Sequence, residues 1–384
     1  MSDHPPLKQL ICDRILTSPQ QRITFAEYME IILYTPQLGY YARSSQQIGS
    51  QGDFFTSPHL GKDYGELLAI QMVQMWQLLG EPQLFTVVEM GAGQGLLALD
   101  MLRYWQQHQP KLLASLDYII IETAPAMVVS QQRLLSNWPV RWSNWDKLPD
   151  EELVGCVFAN ELIDALPVHQ VIVEANELKE IYVSSTAEQQ LVEQVAELST
   201  AKLLQYFELA NIQIGDYAAG YRTEVNLAAL DLIQSIAPKM RCGYLLLIDY
   251  GYSADRYYNP MRDQGTLQCY YQHRHHNDPY IHIGNQDLTT HVDFSSLIRQ
   301  GAAVGLQQIG LTKQGLFLMA LGLSDRLATN ATVTNQNTDG MAILQQRQAL
   351  HQLIDPTGLG GFGVLIQGKN LNPEQLLLQG LPAF

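Results

Sequence analysis

The stretch Phe85-Thr86-Val87-Val88-Glu89-Met90-Gly91-Ala92-Gly93-Gln94-Gly95 constrains this chain more than any other. A mostly apolar, strand-forming run meets three glycines at alternate positions. Leu96 to Gln107 then repeats apolar residues at helical spacing. A strand that is apolar on both faces needs helices above and below it, which is the arrangement of a parallel sheet. Glycines at the strand-to-helix turn let the backbone come close to a ligand and aim helix N-terminal N–H groups at it. The alternation continues. Tyr118 to Glu122 reads as a second strand, Pro125 to Ser136 as its helix, and Val140 to Trp142 as a short third strand. Val154 to Ala159 is a fourth, and Tyr244 to Asp249 a fifth, preceded by a helix over 223–237.

The glycine spacing narrows the ligand. A dinucleotide fingerprint is G-x-G-x-x-G; here the third glycine comes one residue early and Leu96 fills its place, so a nicotinamide-dependent reductase is disfavoured. G-x-G-x-G preceded by an acid resembles the first motif of S-adenosylmethionine-dependent methyltransferases. That cofactor has no pyrophosphate to neutralise, but its ammonium and sulfonium favour nearby carboxylates. Glu89, Gly91, Ala92, Gly93 and Gly95 are therefore candidate cofactor-binding residues, the alternative being a glycine-rich turn that binds nothing. Glu122, at the end of the second strand, is placed to accept hydrogen bonds from ribose hydroxyls, or is an ordinary strand-end acid. Asp146, after the third strand, is a candidate contact for the adenine amino group, or a helix-starting Asp.

Asn160-Glu161-Leu162-Ile163-Asp164-Ala165-Leu166-Pro167 follows the fourth strand, where the sheet crevice should open next to the cofactor's methyl group. Asn160, Glu161 and Asp164 are candidate catalytic residues; the competing reading is helix capping by Asn160 with two acids in the first turn. Upstream, residues 7–35 read as helical, with Thr24 and Glu27 spaced as a capping box. A loop rich in aromatics follows, from Gly39-Tyr40-Tyr41 to Gly52-Asp53-Phe54-Phe55-Thr56-Ser57-Pro58, then a helix over 61–79. Asp53 is a further catalytic candidate, and Thr56 and Ser57 candidate cofactor contacts, in a loop that would close over the cofactor. Residues 168–217 interrupt the alternation with a hairpin and a helix over 187–209. The tail carries helices over 314–328 and 340–352, then the apolar strand Phe362 to Ile366. The expected division is 1–82 (helical extension and loop), 83–167 (first half of the core), 168–222 (insertion) and 223–384 (second half).

Fifteen more acids than bases, 38 against 23, argue against nucleic-acid binding and docking on an anionic membrane, and suit a basic protein segment as partner. No apolar run is long enough to span a bilayer, and no basic patch followed by an apolar stretch marks a secretory signal. Cys12, Cys156, Cys242 and Cys269 lie far apart without C-x-x-C, which suits a reducing compartment; the expected location is cytoplasmic. His273, His275, His276, His282 and His291 lack the regular spacing or Cys partners of a metal site, and no metal is expected.

Taken together, the chain resembles the MidA family, the mitochondrial-dysfunction protein A relatives that include an arginine methyltransferase acting in the assembly of respiratory complex I. The resemblance is carried by Gly39-Tyr40-Tyr41, Gly52 to Pro58, Glu89 to Gly95, Ala159-Asn160-Glu161 with Asp164-Ala165-Leu166-Pro167, Asp249-Tyr250-Gly251-Tyr252, Gly265-Thr266-Leu267, and Asp287 to Phe294. His59 stands where the family usually has Glu, Met90, Ala92 and Gln94 vary its glycine loop, and Leu162-Ile163 replaces its usual aromatic pair. The resemblance implies an α/β fold: a seven-stranded, Rossmann-like methyltransferase sheet with an antiparallel last strand, an N-terminal extension and an inserted α+β subdomain. It implies S-adenosylmethionine as cofactor, a protein arginine as acceptor, and a subunit of an NADH-dehydrogenase-type complex as partner. In this reading Glu161 takes the substrate guanidinium as a bidentate pair, with Asp164 or Asp53 as second choice. Phe54 and Phe55 exclude water, and the insertion is where a second copy or a partner would dock. A non-catalytic assembly chaperone and a small-molecule methyltransferase are the competing readings.

Overall fold

The computed structural model describes residues 4–43, 56–272, 274–332 and 340–381. Its centre is one seven-stranded sheet: β1 (Phe85–Met90), β2 (Leu116–Ile121), β3 (Val140–Ser143), β4 (Leu153–Asn160), β5 (Met240–Asp249), β6 (Gln307–Lys313) and β7 (Gly363–Lys369). The order across the sheet is β6-β7-β5-β4-β1-β2-β3. β1 to β5 pair in parallel, and β7 runs antiparallel to both β5 and β6. The α/β architecture expected from the sequence is therefore the one observed.

Alternate residues explain the two covered faces. Val87, Tyr118, Cys156 and Leu246 pack under the helices Lys62–Leu78 and Leu96–His108. Val88, Ile119, Val157 and Leu247 face the helices Leu227–Lys239 and Phe294–Ala303. Successive side chains of a strand point to opposite faces, so a strand buried on both sides must be apolar throughout. The parallel strands end together, and the crevice above β1, β2, β4 and β5 is where such sheets bind ligands.

A second sheet forms from the insertion. Glu177–Ser185 pairs with His169–Glu174, with Leu191–Ala196 and with Arg22–Thr24; Arg222–Val225 pairs with His169–Glu174. The N-terminal extension thus closes onto the insertion. Thr24 and Glu27 make the expected capping box, which starts the helix Phe25–Tyr34. Phe25, Tyr28, Met29 and Ile32 of that helix are buried with Val168, Val183, Leu267 and Leu288. This packing aims Tyr34 at the crevice.

Three expectations need correction. Residues 187–209 are not one helix: Leu191–Ala196 is a strand, and the helix is confined to Lys202–Ala210. Val192 and Val195 are β-branched, and the open edge of Glu177–Ser185 offers them a ladder. The helix expected over 314–328 runs on to Thr332, broken at Gly322, whose φ of 106° no regular helix accepts. β6 was not foreseen, because an edge strand with exposed residues such as Gln307, Gln308 and Leu311 carries no apolar run.

Gly265-Thr266-Leu267, a motif without an assigned role in the sequence, anchors Glu224. That carboxylate is 1% exposed and accepts the N–H groups of Thr266 (2.8 Å) and Leu267 (3.3 Å). Gly265 has φ +75°, and a Cβ there would stand 2.2 Å from Glu224 Oε1. Gly265→Ala is expected to cost about 2 kcal/mol or more and to lower the melting temperature by several degrees, read by calorimetry.

Candidate active site

The crevice is a cavity of about 1600 Å³. Small-molecule sites commonly occupy about 300–1,000 Å³, so a cofactor and part of a second reactant fit together. Its walls come from the ends of β1, β2, β4 and β5, from the N-terminal extension (Tyr34, Tyr41) and from the segments around Tyr270 and Phe362.

At β1 the chain turns through left-handed backbone at Gly91, Gly93 and Gly95, with φ of 66°, 53° and 81°. Side chains rarely adopt this conformation, so glycine is required here. A Cβ on Gly91 would press within 2.8 Å of Leu162 Cδ1, while nothing stands within 4 Å of the corresponding point on Gly93. Gly91, Ala92 and Gly93 line the cavity; Gly95 does not, and instead packs toward Gln131 and Leu134 of the next helix. Glu89 lines the cavity floor, 3% exposed, with Tyr118 donating its hydroxyl to Oε2 at 2.7 Å. Burial pushes this carboxyl up to about 7, against the hydrogen bond that favours its ionised form.

Glu122 reaches the cavity from the end of β2. Ala124 N–H donates to Oε1 at 2.9 Å and Gln131 Nε2 to Oε2 at 3.1 Å. Gln131 is a positioning residue that sequence reading missed. It is fully buried, its amide also donates to Gly93 O at 2.8 Å, and its carbonyl accepts Trp142 Nε1 at 2.8 Å. One side chain thus ties the glycine turn to the acid on the neighbouring strand. A Gln inside an otherwise ordinary amphipathic helix is the only sign the sequence offers. Gln131→Leu keeps the volume but orphans three groups, and should weaken S-adenosylhomocysteine binding about tenfold by calorimetry, with the fold retained.

Glu161 and Asn160 stand at the end of β4. Glu161 takes φ 53°, left-handed backbone held by its N–H to Ile248 O at 2.8 Å; strain of this kind in a non-glycine residue gathers at functional sites. Ser57 N–H and Asn160 Nδ2 donate to its Oε1 at 3.1 and 3.2 Å. Burial raises its pKa to about 7, more than these bonds lower it. The hydroxyl of Tyr64 bonds Asn160 Oδ1 and lies 3.3 Å from Gln314 Oε1. Asp164 follows in a turn whose N–H groups at Ile163 and Asp164 donate to Asp249 Oδ2, at 2.9 and 3.1 Å. Burial raises Asp164 to about 6 and lifts the fully buried Asp249 too, Asp164's charge adding to the latter.

Of the other expected residues, Thr56 lines the cavity and Ser57 lies just behind it, fully buried. Asp146 is exposed and off the cavity; its neighbour Trp145 is the one that faces in. Asp53, Phe54, Phe55 and His273 lie outside the described residues. Among the described residues no three His, Cys, Asp or Glu side chains gather as a metal-holding group.

Carboxylates at the ends of β1, β2 and β4 around a bare glycine turn define a nucleoside-binding α/β site for a cationic cofactor. The lysine and arginines on the cavity wall, Arg256, Arg274 and Lys313, come from other segments, so among the described residues no lysine or arginine stands beside the turn to pair with a pyrophosphate. This donor set fits S-adenosylmethionine. The chain belongs to the family described as "Putative S-adenosyl-L-methionine-dependent methyltransferase", whose model matches residues 67–312. It is similar to the mitochondrial protein arginine methyltransferase NDUFAF7 of Rattus norvegicus, 30% identical over 84% of this chain and 75% of that protein. The Homo sapiens protein of the same name is 27% identical over 93% and 81%. A Burkholderia thailandensis crystal structure with S-adenosyl-homocysteine bound aligns with a TM-score of 0.86 at 30% identity, covering 98% of this chain and 94% of that one. The protein is thus an S-adenosylmethionine-dependent methyltransferase.

The same names overturn the cytoplasmic location expected from the sequence, for these relatives are mitochondrial. All four cysteines are free, but free thiols report a reducing environment, not which compartment provides it. No helix among the described residues is long and apolar enough to cross a membrane.

Proposed function

We propose that this methyltransferase modifies an arginine side chain of a protein, a subunit of an NADH-dehydrogenase-type complex during its assembly. The observation that carries the reading is the half-buried Glu161 carboxylate at the exit of β4, with the buried Asp164 lining the same cavity. The relatives' name, protein arginine methyltransferase, agrees with it. S-adenosylmethionine, when bound, supplies an electrophilic methyl carbon.

Glu89 and Glu122 hold the cofactor's cationic and hydroxyl groups from the β1 and β2 side. Glu161 accepts two N–H groups of the incoming guanidinium, the fork geometry that such groups prefer. A guanidinium is protonated in water, so as its nitrogen takes the methyl carbon, with the S–C bond breaking and S-adenosylhomocysteine as leaving group, one proton must leave that nitrogen; Glu161 takes it. Ser57 N–H and Asn160 fix the carboxylate's orientation. Residues 83–167 in this reading hold the cofactor, and residues 1–82 and 223–384 enclose the acceptor.

Purified protein with methyl-labelled S-adenosylmethionine should label one protein in a lysate, and mass spectrometry should find the label on arginine. Label confined to small molecules, or to no acceptor, overturns the reading.

A further inference from the structure

The sheet order separates two halves of the cavity. Glu89 and Glu122 stand on β1 and β2; across β4 lie β5, β7 and β6. Beyond the buried Asp249 at the end of β5, that far side also carries cations. Arg256, shortly after β5, and Lys313, the last residue of β6, both line the cavity. The guanidinium carbons of Arg256 and Arg262 sit 4.4 and 4.5 Å from the centre of the Tyr252 ring. Arg262 is committed to backbone, donating Nη1 to the carbonyls of Arg256 (2.8 Å) and Tyr257 (3.2 Å). Lys313 Nζ donates to Gly361 O at 2.8 Å. Among the described residues no carboxylate forms an ion pair with Arg256, Arg262 or Lys313. In a chain with 38 acids and 23 bases, composition alone would favour an acid beside every cation.

The field of this corner is felt by its neighbours. Burial lowers the Lys313 amine, and the charge of Arg256 lowers it further. His291, stacked on Tyr252 at 4.9 Å, is lowered to about 4, by burial first and then by Arg262, with Arg256 adding.

We infer that Arg256 and Lys313 form a recognition site for an Asp or Glu side chain carried by the acceptor segment itself, a few residues from the arginine that enters beside Glu161. The inference rests on the acceptor class proposed above. A cavity of 1600 Å³ has a cube root of about 12 Å. An extended chain advances roughly 3.3 Å per residue, so the acid falls about three or four residues from the arginine. The acidic pole takes the guanidinium and the basic pole takes the acid. The pair of charges fixes the direction of the segment and rejects arginines in basic surroundings.

The test uses C-terminally amidated peptides with a central arginine and one Glu, or Gln in its place, stepped from five residues before to five after. Binding is read by fluorescence anisotropy in the presence of S-adenosylhomocysteine. Wild-type protein should bind the Glu peptide about five- to tenfold more tightly than its Gln partner at one or two spacings, the preference shrinking with added salt. In the double variant Arg256→Gln, Lys313→Gln the preference should vanish while the Gln peptides bind as before. Calorimetric S-adenosylhomocysteine affinity within about twofold of wild type certifies the variant's fold. Absence of any Glu preference in wild type, including absence of peptide binding, overturns the inference, as does a preference that survives the double variant. If peptides with lysine replacing the arginine show the same preference and bind as tightly, the basic pole stands and the arginine reading falls.

Discussion

Glu161→Gln is expected to lower methyl transfer to the protein acceptor by about a thousandfold while leaving S-adenosylhomocysteine affinity within a few-fold of wild type. The amide keeps the shape and can still accept on one oxygen, but it neither balances the guanidinium charge nor takes the proton; general-base loss alone is worth roughly 10²–10⁴. Single-turnover label transfer and calorimetry separate the two readouts, and full transfer by the variant would remove Glu161 from the mechanism. The pH dependence follows from the same group. With a pKa of about 7, the productive carboxylate is scarce in acid, so kcat/KM of wild type should fall about tenfold per pH unit below neutrality and level off above it. Stability should move the other way. Between 4.5 and about 7 the folded protein holds a proton that the unfolded chain releases, so wild type loses stability as pH rises through that window. Gln carries no such penalty. The variant should melt a few degrees higher at pH 8, for an upper bound of about 3 kcal/mol, and the gap should close by pH 5.

The second large effect is on the cofactor. Glu122→Ala removes an acceptor already anchored by Ala124 N–H and Gln131, so its geometry costs nothing to arrange when a ligand binds. Two hydrogen bonds to a charged acceptor are worth roughly 3 kcal/mol together, or about a hundredfold in affinity. Calorimetry with S-adenosylhomocysteine should show that loss. At saturating cofactor the transfer rate should recover, because Glu122 stands at β2 and not where the acceptor enters. A variant that binds normally would place the ribose elsewhere.

What could be read from the sequence is what the backbone does locally. The Glu89–Gly95 turn is legible because glycine adopts its left-handed φ values far more readily than other residues, and the five parallel strands because burial on both faces demands apolar runs. The acids at the ends of β1, β2 and β4 follow from strand order. Groups supplied from afar left no such mark. Tyr34 donates to Ala165 O across 131 positions and Tyr41 to Asp287 across 246, and neither neighbourhood advertises the other. Gln131 looks like any surface glutamine until the helix is laid against the glycine turn. Asp146 misled because a one-residue shift in a short turn exchanges an exposed acid for an inward Trp145. The extra strand Leu191–Ala196 was decided by an open sheet edge, which is tertiary information.

The pairing of Arg22–Thr24 with Glu177–Ser185 bears on how the molecule is made. During synthesis the helix Phe25–Tyr34 emerges early, yet Val168, Val183 and Leu288, against which it packs, follow some 130 to 260 positions later. The part of its apolar face that the preceding helix Pro5–Thr17 does not cover must stay open on the ribosome until those partners arrive, a period in which holdase chaperones and aggregation compete for it.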